Sequence, residues 1–413
     1  MPIPQTAVPG VERSAPSKNR AVMDRARAHL LQNYKQQPIV LERGQGTKVW
    51  DADGNVYLDL LGGIATLPFG HCHPEITAAA KAQMDRLWHT SNVFYTEPQI
   101  TLAELLTSLS GLDRAFFCNS GAEANEALLK LARKAQHARG QPGRFEFVCF
   151  ETSFHGRTLA TVTATGQTKY QKGFEPLLPG FTYVPFNNLS AVEQIVSNKT
   201  AAIMLEPIQG EGGVRVADKS YLKGLRDFCR QRDILLIFDE VQTGVGRTGT
   251  LFAYEQLGVA PDVMTLGKGL GGGLPIGACL ATEAAAAALE PGTHASTFGG
   301  NPVCCAAGLA VLRTLLEGRV LQHGRRMGEY LARGLQDMKD RLPIVKETRG
   351  LGLLQGMELT VDGKSVVTDC LARGLLINCT ADRVLRFVPP LIITQADIDR
   401  LLDLLNQVLG KRI

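Results

Sequence analysis

The chain contains 413 residues, of which 45% are hydrophobic and 20% are charged, as expected for a globular protein. Its 44 Lys and Arg residues against 40 Asp and Glu residues give a formal net charge of +4, which is too small for a nucleic-acid-binding surface. No apolar run reaches the roughly 18 residues that a membrane span needs. We therefore expect no nucleic-acid partner and no membrane partner.

The cysteines and histidines predict neither a disulfide framework nor a metal site. The nine cysteines form no C-x-x-C pair, which favours buried, reduced thiols in a cytoplasmic protein. The N-terminal 20 residues lack the apolar core of a signal peptide and predict a loose arm. The His71-Cys-His73 segment has no third ligand at metal spacing, and Gly70 and Pro74 indicate a turn there, so no metal is expected.

Periodicity predicts an α/β protein. Asp53-Gly54-Asn55 lies between two short alternating runs and predicts a hairpin. From Arg114 onward, strand-like and helical runs alternate, which favours a mostly parallel sheet with helices on both faces. The predicted strands are Arg114–Cys118, Phe145–Phe150, Ala201–Leu205, Ile234–Phe238 and Val263–Leu266, and the helices between them include Ala122–Ala138 and Tyr221–Arg232. Ligands bind at the carboxyl ends of such strands.

The C-terminal third predicts a smaller α+β domain. One long helical stretch runs from Cys305 to about Leu335, and an amphipathic helix, Ala396–Leu409, ends the chain. Between them lie the strand candidates Gly352–Leu359, Leu375–Asn378 and Val384–Val388. We divide the chain into an N-terminal segment (1–49) that packs on the small domain, a large domain (50–304) and the small domain (305–413).

Three segments at predicted strand ends carry polar groups. Ser120-Gly121-Ala122 precedes a helix, whose free N–H groups suit an anion, although Ser120 with Glu123 also fits an ordinary capping box. Asp239 ends an apolar strand and is suited to a ligand cation or a salt bridge. Lys268 follows another strand within a glycine-rich loop, as a phosphate-binding or Schiff-base lysine would.

A glycine motif and two single arginines are further candidate binding features. Gly244–Gly249 matches G-x-G-x-x-G, but it does not directly follow a strand, so a nucleotide-dependent reductase is only an alternative of another class. Arg157 and Arg386 are single arginines in glycine-rich or apolar settings, typical of carboxylate binding or of ordinary surface positions. A strand-end acid, a strand-end lysine, an anion site and two arginines together suit pyridoxal 5'-phosphate.

Seven motifs in order carry a family resemblance. The sequence resembles the class-III pyridoxal-phosphate aminotransferases, and in particular their acetylornithine branch. The motifs are Gly70–Pro74, Ser120–Glu126, Phe154–Thr158, Glu206–Gly213, Phe238–Gly244, Lys268 in its glycine loop, and Gly292–Pro302. The resemblance implies fold type I, with a seven-stranded, mostly parallel sheet in the large domain.

The resemblance also implies roles at a cofactor site. Lys268 would form the internal aldimine and move the proton, and Asp239 would pair with the pyridinium nitrogen. Phe154 would stack on the ring, and Thr297 would reach the phosphate in the partner subunit, which requires a homodimer. The implied cofactor-binding residues are Ser120, Gly121, Ala122, Phe154, Asp239, Glu240, Val241, Gln242, Lys268 and Thr297.

For the substrates, the resemblance implies two carboxylate sites and a switch. Arg157, with Ser296 of the other subunit, would bind the α-carboxylate of N2-acetyl-L-ornithine. Arg386 would bind glutamate or 2-oxoglutarate, and Glu211 would pair with Arg386 when the δ-amino substrate is bound. The implied reaction gives N-acetyl-L-glutamate 5-semialdehyde and L-glutamate, as in arginine biosynthesis. Succinylornithine, succinyl-diaminopimelate, ornithine and GABA are alternative amino donors.

Overall fold

The N-terminal segment consists of one helix and a three-stranded meander. The computed structural model describes residues 17–412, so the part of the predicted arm before residue 17 lies outside the described residues. Helix α1 (Lys18–His29) is followed by β1 (Leu41–Gln45), β2 (Lys48–Asp51) and β3 (Val56–Asp59). The β2–β3 pair is antiparallel, which confirms the hairpin predicted at Asp53-Gly54-Asn55.

The middle of the chain builds a large sheet with its flanking helices. Helices α2 (Gly62–Ala65), α3 (Pro74–Met84) and α4 (Glu97–Ser110) lead into it. The following elements are β4 (Arg114–Cys118), α5 (Gly121–Ala138), β5 (Glu146–Phe150), α6 (Leu159–Ala164), α7 (Thr168–Gln171), β6 (Phe181–Val184), α8 (Leu189–Ile195), β7 (Thr200–Leu205), β8 (Ile208–Gln209), β9 (Arg215–Val216), α9 (Lys219–Arg232), β10 (Leu235–Asp239), α10 (Ala253–Leu257), β11 (Val263–Leu266), a 3₁₀ turn (Lys268–Gly271), β12 (Gly277–Ala281) and α11 (Glu283–Ala286).

The seven-stranded sheet confirms the predicted fold class. Its strand order is β4-β12-β11-β10-β7-β5-β6, and only β12 runs antiparallel to its neighbours. Because successive strand side chains point to opposite faces, Ile237 packs with α5 on one face, and Leu236 packs with α9 on the other. The sheet is therefore covered on both sides, as its continuous apolar strands require.

The C-terminal part is an α+β unit. Its elements are α12 (Pro302–Glu317), α13 (Val320–Arg341), β13 (Val345–Leu351), β14 (Leu354–Leu359), α14 (Lys364–Leu371), β15 (Leu375–Leu376), β16 (Asn378–Thr380), β17 (Val384–Phe387) and α15 (Gln395–Gly410). Strands β13-β14-β17-β16 form an antiparallel sheet, and β15 pairs with β3. The pairing of β15 with β3 ties residues 56–59 to the C-terminal unit, whereas the predicted large domain begins at residue 50. The domain boundaries stay predictions.

The long helical stretch predicted from Cys305 to about Leu335 is helical, but it consists of two helices, α12 and α13. The chain breaks between α12 and α13 at Gly318 and Arg319, and Arg319 adopts the left-handed conformation with φ 55°. Apolar residues continue at helical spacing on both sides of the break, so periodicity does not reveal it. Within residues 17–412, no helix has both the length and the apolar character needed to cross a bilayer.

Candidate active site

Five strands deliver their carboxyl ends to one cavity. The ends of β4, β5, β7, β10 and β11 lead to a cavity of about 270 Å³. Its lining residues are Gly121, Ala122, Asn125, Phe154, His155, Gly156, Arg157, Glu206, Glu211, Asp239, Val241, Gln242 and Lys268. Nine of the residues predicted from the sequence are therefore brought together, among them the strand-end acid and the strand-end lysine.

Asp239 is held by three hydrogen bonds at the base of the cavity. Its Oδ2 accepts from Asn125 Nδ2 and pairs with His155 Nδ1, each at 2.8 Å, and its Oδ1 accepts from Val241 N at 3.0 Å. The Asn125 amide is oriented in turn, because Thr265 Oγ1 donates to its Oδ1 at 2.8 Å. These bonds fix the carboxylate in one orientation.

The first turn of α5 offers backbone amides to the cavity. Ser120 caps the helix by accepting from Glu123 N at 3.1 Å, but the Glu123 carboxylate accepts from Asn119 N rather than from Ser120 N, so the full capping box is not formed. Gly121 is packed so tightly that a Cβ atom there would lie 2.5 Å from Val241 Cγ1. This close approach leaves the N–H groups of Gly121 and Ala122 at the cavity wall, where the helix dipole favours an anion.

Lys268 begins the 3₁₀ turn with φ 38°, an uncommon conformation for a residue with a side chain. Burial lowers the pKa of its ammonium group, and Arg386 adds to this, while Glu211 and Asp239 act in the opposite direction. A lowered pKa makes the neutral amine, which is the nucleophilic form, easier to reach. Lys268 therefore has the environment of a reactive lysine.

Glu206 brings a second buried carboxyl group to the cavity. Its Oε1 accepts from Phe154 N at 2.8 Å and fixes the backbone of that aromatic residue. Burial, and then the charge of Asp239, raise the pKa of Glu206 well above 4.5. The neutral form of the Glu206 carboxyl group is therefore favoured.

Arg386 is a fully buried cation with one acidic partner. Its Nη1 donates to Glu211 Oε1 at 2.5 Å and to Gln242 Oε1 at 3.3 Å, and its Nε donates to Asn378 Oδ1 at 3.3 Å. Burial opposes the charged form of Glu211, but Arg386 and Lys268 outweigh it and hold the pKa of Glu211 below its ordinary value. The Nη2 atom of Arg386 is buried without a hydrogen-bond partner.

Arg157 contacts aromatic rings rather than a carboxylate. Its guanidinium carbon lies 4.1 Å from the ring centroid of Tyr170 and 5.5 Å from that of Phe154. Among residues 17–412, no side chain or backbone oxygen accepts a hydrogen bond from Arg157 or forms an ion pair with it. The two arginines of the cavity are therefore in opposite states, one paired with a carboxylate and one open.

Of the five predicted residues that do not line this cavity, Arg386 reaches it through Glu211 and Gln242, and the other four lie away from it. Ser120 is engaged in its cap, and the side chain of Glu240 points to the opposite side of the strand end. The Glu240 side chain accepts from the backbone amides of Ala253 and Tyr254 at the start of α10, and its predicted role in binding the cofactor stays a prediction. Its neighbour Asp239 faces the cavity, as alternation along a strand requires.

Ser296 and Thr297 lie on a separate loop of the same chain. Ser296 Oγ accepts from Gly299 N at 3.0 Å and from Asn119 Nδ2 at 3.3 Å, and Thr297 is exposed. Neither residue lines the cavity of its own chain. Their predicted roles in a partner subunit stay predictions.

Sequence reasoning missed Asn125, His155, Glu206, Thr265 and Asn378 as site residues. Asn125, His155 and Glu206 lie inside the recognised motifs, so their position in a motif was an available signal. Thr265 lies in the apolar strand β11 and Asn378 in the short strand β16, and nothing in the local sequence marks either of them.

The glycine-rich alternative is a packing feature. A Cβ atom at Gly246 would lie 2.9 Å from side-chain atoms of both Leu321 and Leu391, so the glycine permits close contact with the C-terminal unit. Arg247, which follows it, is buried and donates to the carbonyls of Leu353 and Pro389. In the histidine pair, His71 Nε2 bonds Asp59 Oδ2 at 2.7 Å. No cluster in residues 17–412 has three groups that could hold a metal ion.

The fold and the lysine-centred cavity define a transaminase. The sequence profile of class-III aminotransferases matches residues 30–409, and the chain belongs to this family. The family uses pyridoxal 5'-phosphate as its cofactor, and the nucleotide-dependent reductase is therefore excluded.

Within this family, the chain is similar to proteins named acetylornithine aminotransferase. The chain is 56% identical to an acetylornithine aminotransferase from Myxococcus xanthus, covering 95% of this chain and 98% of the relative. It is 51% identical to an acetylornithine aminotransferase from Methanocaldococcus jannaschii, covering 94% and 97%. Among solved structures, an ornithine aminotransferase from Toxoplasma gondii with partial occupancy of PLP at its active site is similar with a TM-score of 0.92 and 35% identity, covering 95% of this chain and 94% of that one.

Proposed function

We propose that this class-III aminotransferase moves the δ-amino group of N2-acetyl-L-ornithine to 2-oxoglutarate, which yields N-acetyl-L-glutamate 5-semialdehyde and L-glutamate for arginine biosynthesis. The observation that carries the proposal is the pair of arginines in opposite states within one cavity, with Arg386 bound to Glu211 at 2.5 Å and Arg157 open. The relatives named acetylornithine aminotransferase support the same donor.

The cavity suits pyridoxal phosphate on three counts. Asp239 is a clamped carboxylate for a ring nitrogen, the amides of Gly121 and Ala122 suit a phosphate, and Phe154 offers an aromatic face. The cofactor, when bound, withdraws electrons from the substrate carbon that bears the amine. Lys268 Nζ would then carry the proton to and from that carbon, because burial lowers the pKa of the lysine.

The arginines account for two substrates of different charge. Arg157 would bind the α-carboxylate of acetylornithine, whose reacting carbon carries no carboxylate. Glu211 would meanwhile neutralise Arg386. For glutamate, whose reacting carbon carries a carboxylate, Glu211 would move aside and Arg386 would bind that group bidentately, using the buried Nη2 that has no partner.

A homodimer would complete the site. Trp88, Phe94, Tyr95 and Phe298 are exposed aromatic residues on the segments around residues 88–95 and 298, and Tyr95 is 94% exposed. These segments adjoin Ser296, because Asn92 Nδ2 donates to the Ser296 carbonyl at 3.0 Å. Exposed apolar patches mark interaction sites, and a second copy of the chain covering these segments would bring Ser296 and Thr297 to the partner's cavity. Nine unpaired cysteines support a cytoplasmic location.

An absorbance scan tests the proposed donor. The visible band of the cofactor-loaded enzyme should fall when acetylornithine is added and return with 2-oxoglutarate. A Lys268→Ala variant serves as the control and should show neither change. A band that responds to glutamate but not to acetylornithine would contradict the donor and favour succinylornithine, succinyl-diaminopimelate, ornithine or GABA, each of which enters the same assay.

A further inference from the structure

Arg157 depends on aromatic faces for its position. It follows Gly156, whose φ of 140° turns the chain sharply at the cavity, and its side chain is exposed. With no hydrogen-bond acceptor among residues 17–412 to hold it, the guanidinium group rests on Tyr170 at 4.1 Å and more loosely on Phe154 at 5.5 Å. A long arginine side chain without such contacts would sample several rotamers.

Tyr170 itself is firmly held. It lies in the short helix α7, next to the buried Gln171, whose Nε2 donates to Thr165 O at 2.8 Å and to Tyr183 Oη at 3.0 Å. The Tyr170 ring also meets Phe154 edge to face, with centroids 5.7 Å apart and planes at 83°. The anchored helix α7 and the edge contact with Phe154 therefore position the ring against which Arg157 lies.

We propose that Tyr170 is the positioning residue of the distal carboxylate site, holding Arg157 by its ring face so that the guanidinium group meets the substrate carboxylate in a fixed place. The inference rests on the proposed function and assigns the support of its carboxylate site. An aromatic face attracts the cation but occupies none of its five N–H donors. An acidic partner would hold Arg157 equally well, but the substrate would have to displace it, as it must displace Glu211 from Arg386.

The test combines three variants with two substrates. Tyr170→Phe keeps the ring face, Tyr170→Leu removes it at similar bulk, and Lys169→Ala removes the other cation over the same ring, 4.8 Å from its centroid. Each cofactor-loaded enzyme is assayed with acetylornithine and with N-acetylputrescine, which is the same amine without the α-carboxylate. Thermal unfolding of each variant reports whether it is folded.

A cation–π contact of this kind predicts that Tyr170→Leu raises the KM for acetylornithine by roughly tenfold, with kcat within about twofold. With N-acetylputrescine the same variant should retain kcat/KM within about twofold. Tyr170→Phe and Lys169→Ala should resemble the unchanged enzyme with both substrates.

Three results would overturn the proposal. These are an unchanged KM in Tyr170→Leu, an equal loss with both substrates, and a loss in Tyr170→Phe as large as in Tyr170→Leu. If the proposed function itself is wrong, the unchanged enzyme will not turn over acetylornithine, and this result differs from the three above. The same comparison of variants would then use GABA, which carries a carboxylate, and butylamine, which does not.

Discussion

Replacing Glu211 by Gln tests the charge switch directly. The carboxylate lies 2.5 Å from Arg386 Nη1, and the remaining partners of that fully buried guanidinium are the neutral side chains of Gln242 and Asn378. Glutamine preserves the shape and one hydrogen-bond acceptor but removes the negative charge. Arg386 would then be an uncompensated buried cation whenever the substrate brings no carboxylate to it.

The size of the effect follows from burial. Removing one partner of a buried ion pair costs about 3–5 kcal/mol. The Glu211 side chain is 23% exposed, so water reaches it and we reduce the expected cost to about 2–3 kcal/mol. This corresponds to a loss of about 30- to 150-fold in kcat/KM for acetylornithine. The glutamate half-reaction should change by less than about fivefold, because the carboxylate of glutamate replaces the missing charge.

Single-turnover absorbance with each substrate separately measures both half-reactions. Glu347→Gln is the matched control, because Glu347 pairs with Arg349 at 2.7 Å on the surface, where its side chain is 50% exposed. Because the pKa of Glu211 lies below its ordinary value, its side chain is charged at neutral pH. The ion pair with Arg386 is therefore lost only when the pH falls through this lowered pKa. Equal losses with acetylornithine and glutamate, or no loss with either, would refute the switch.

Three further variants test the surroundings of the site. Asn125→Ala removes a 2.8 Å charge-assisted donor to Asp239 and should weaken cofactor binding about tenfold, measured by equilibrium titration of the apoenzyme. Glu206→Gln mimics the neutral acid and should keep kcat within about threefold, and a loss of a hundredfold would show that the charged form is needed. Asp51 anchors α1, because its carboxylate accepts from Asn19 Nδ2 at 2.9 Å. Burial raises the pKa of Asp51, but hydrogen bonds from Asn55 and Asn19 outweigh burial and lower the pKa to about 2. The stabilisation by Asp51 is present above pH 3.8 and is lost towards pH 2, so Asp51→Asn should speed amide exchange in α1 at neutral pH.

Much of the site was predictable because the carboxyl ends of parallel strands lie at the same edge of the sheet. Asp239 and Lys268 end or follow apolar strands, and parallel strands bring such ends to one edge of a sheet. The orientation of side chains within that edge was not predictable from the sequence. Glu240 is adjacent to Asp239 and chemically similar, yet alternation turns it towards α10, where it caps backbone amides.

Contacts that depend on how separate elements pair and pack could not be predicted from the sequence. Thr265 orients Asn125 from 140 positions away, and Asn378 reaches Arg386 from a neighbouring strand. The break at Gly318 and Arg319 was hidden for a related reason, since helical periodicity continues on both sides. Local patterns identify elements, but they do not specify which polar groups meet when the elements pack.

The balance of charge in the cavity explains why its acids differ. Two basic groups, Lys268 and Arg386, lie beside the carboxyl groups of Asp239 and Glu211, so a third charged carboxylate would add buried negative charge. Burial and Asp239 raise the pKa of Glu206 and so favour its neutral form, which can hold the Phe154 backbone without adding that charge. Arg157 stays outside this balance because aromatic faces hold it, and its positive charge is therefore available to a substrate carboxylate.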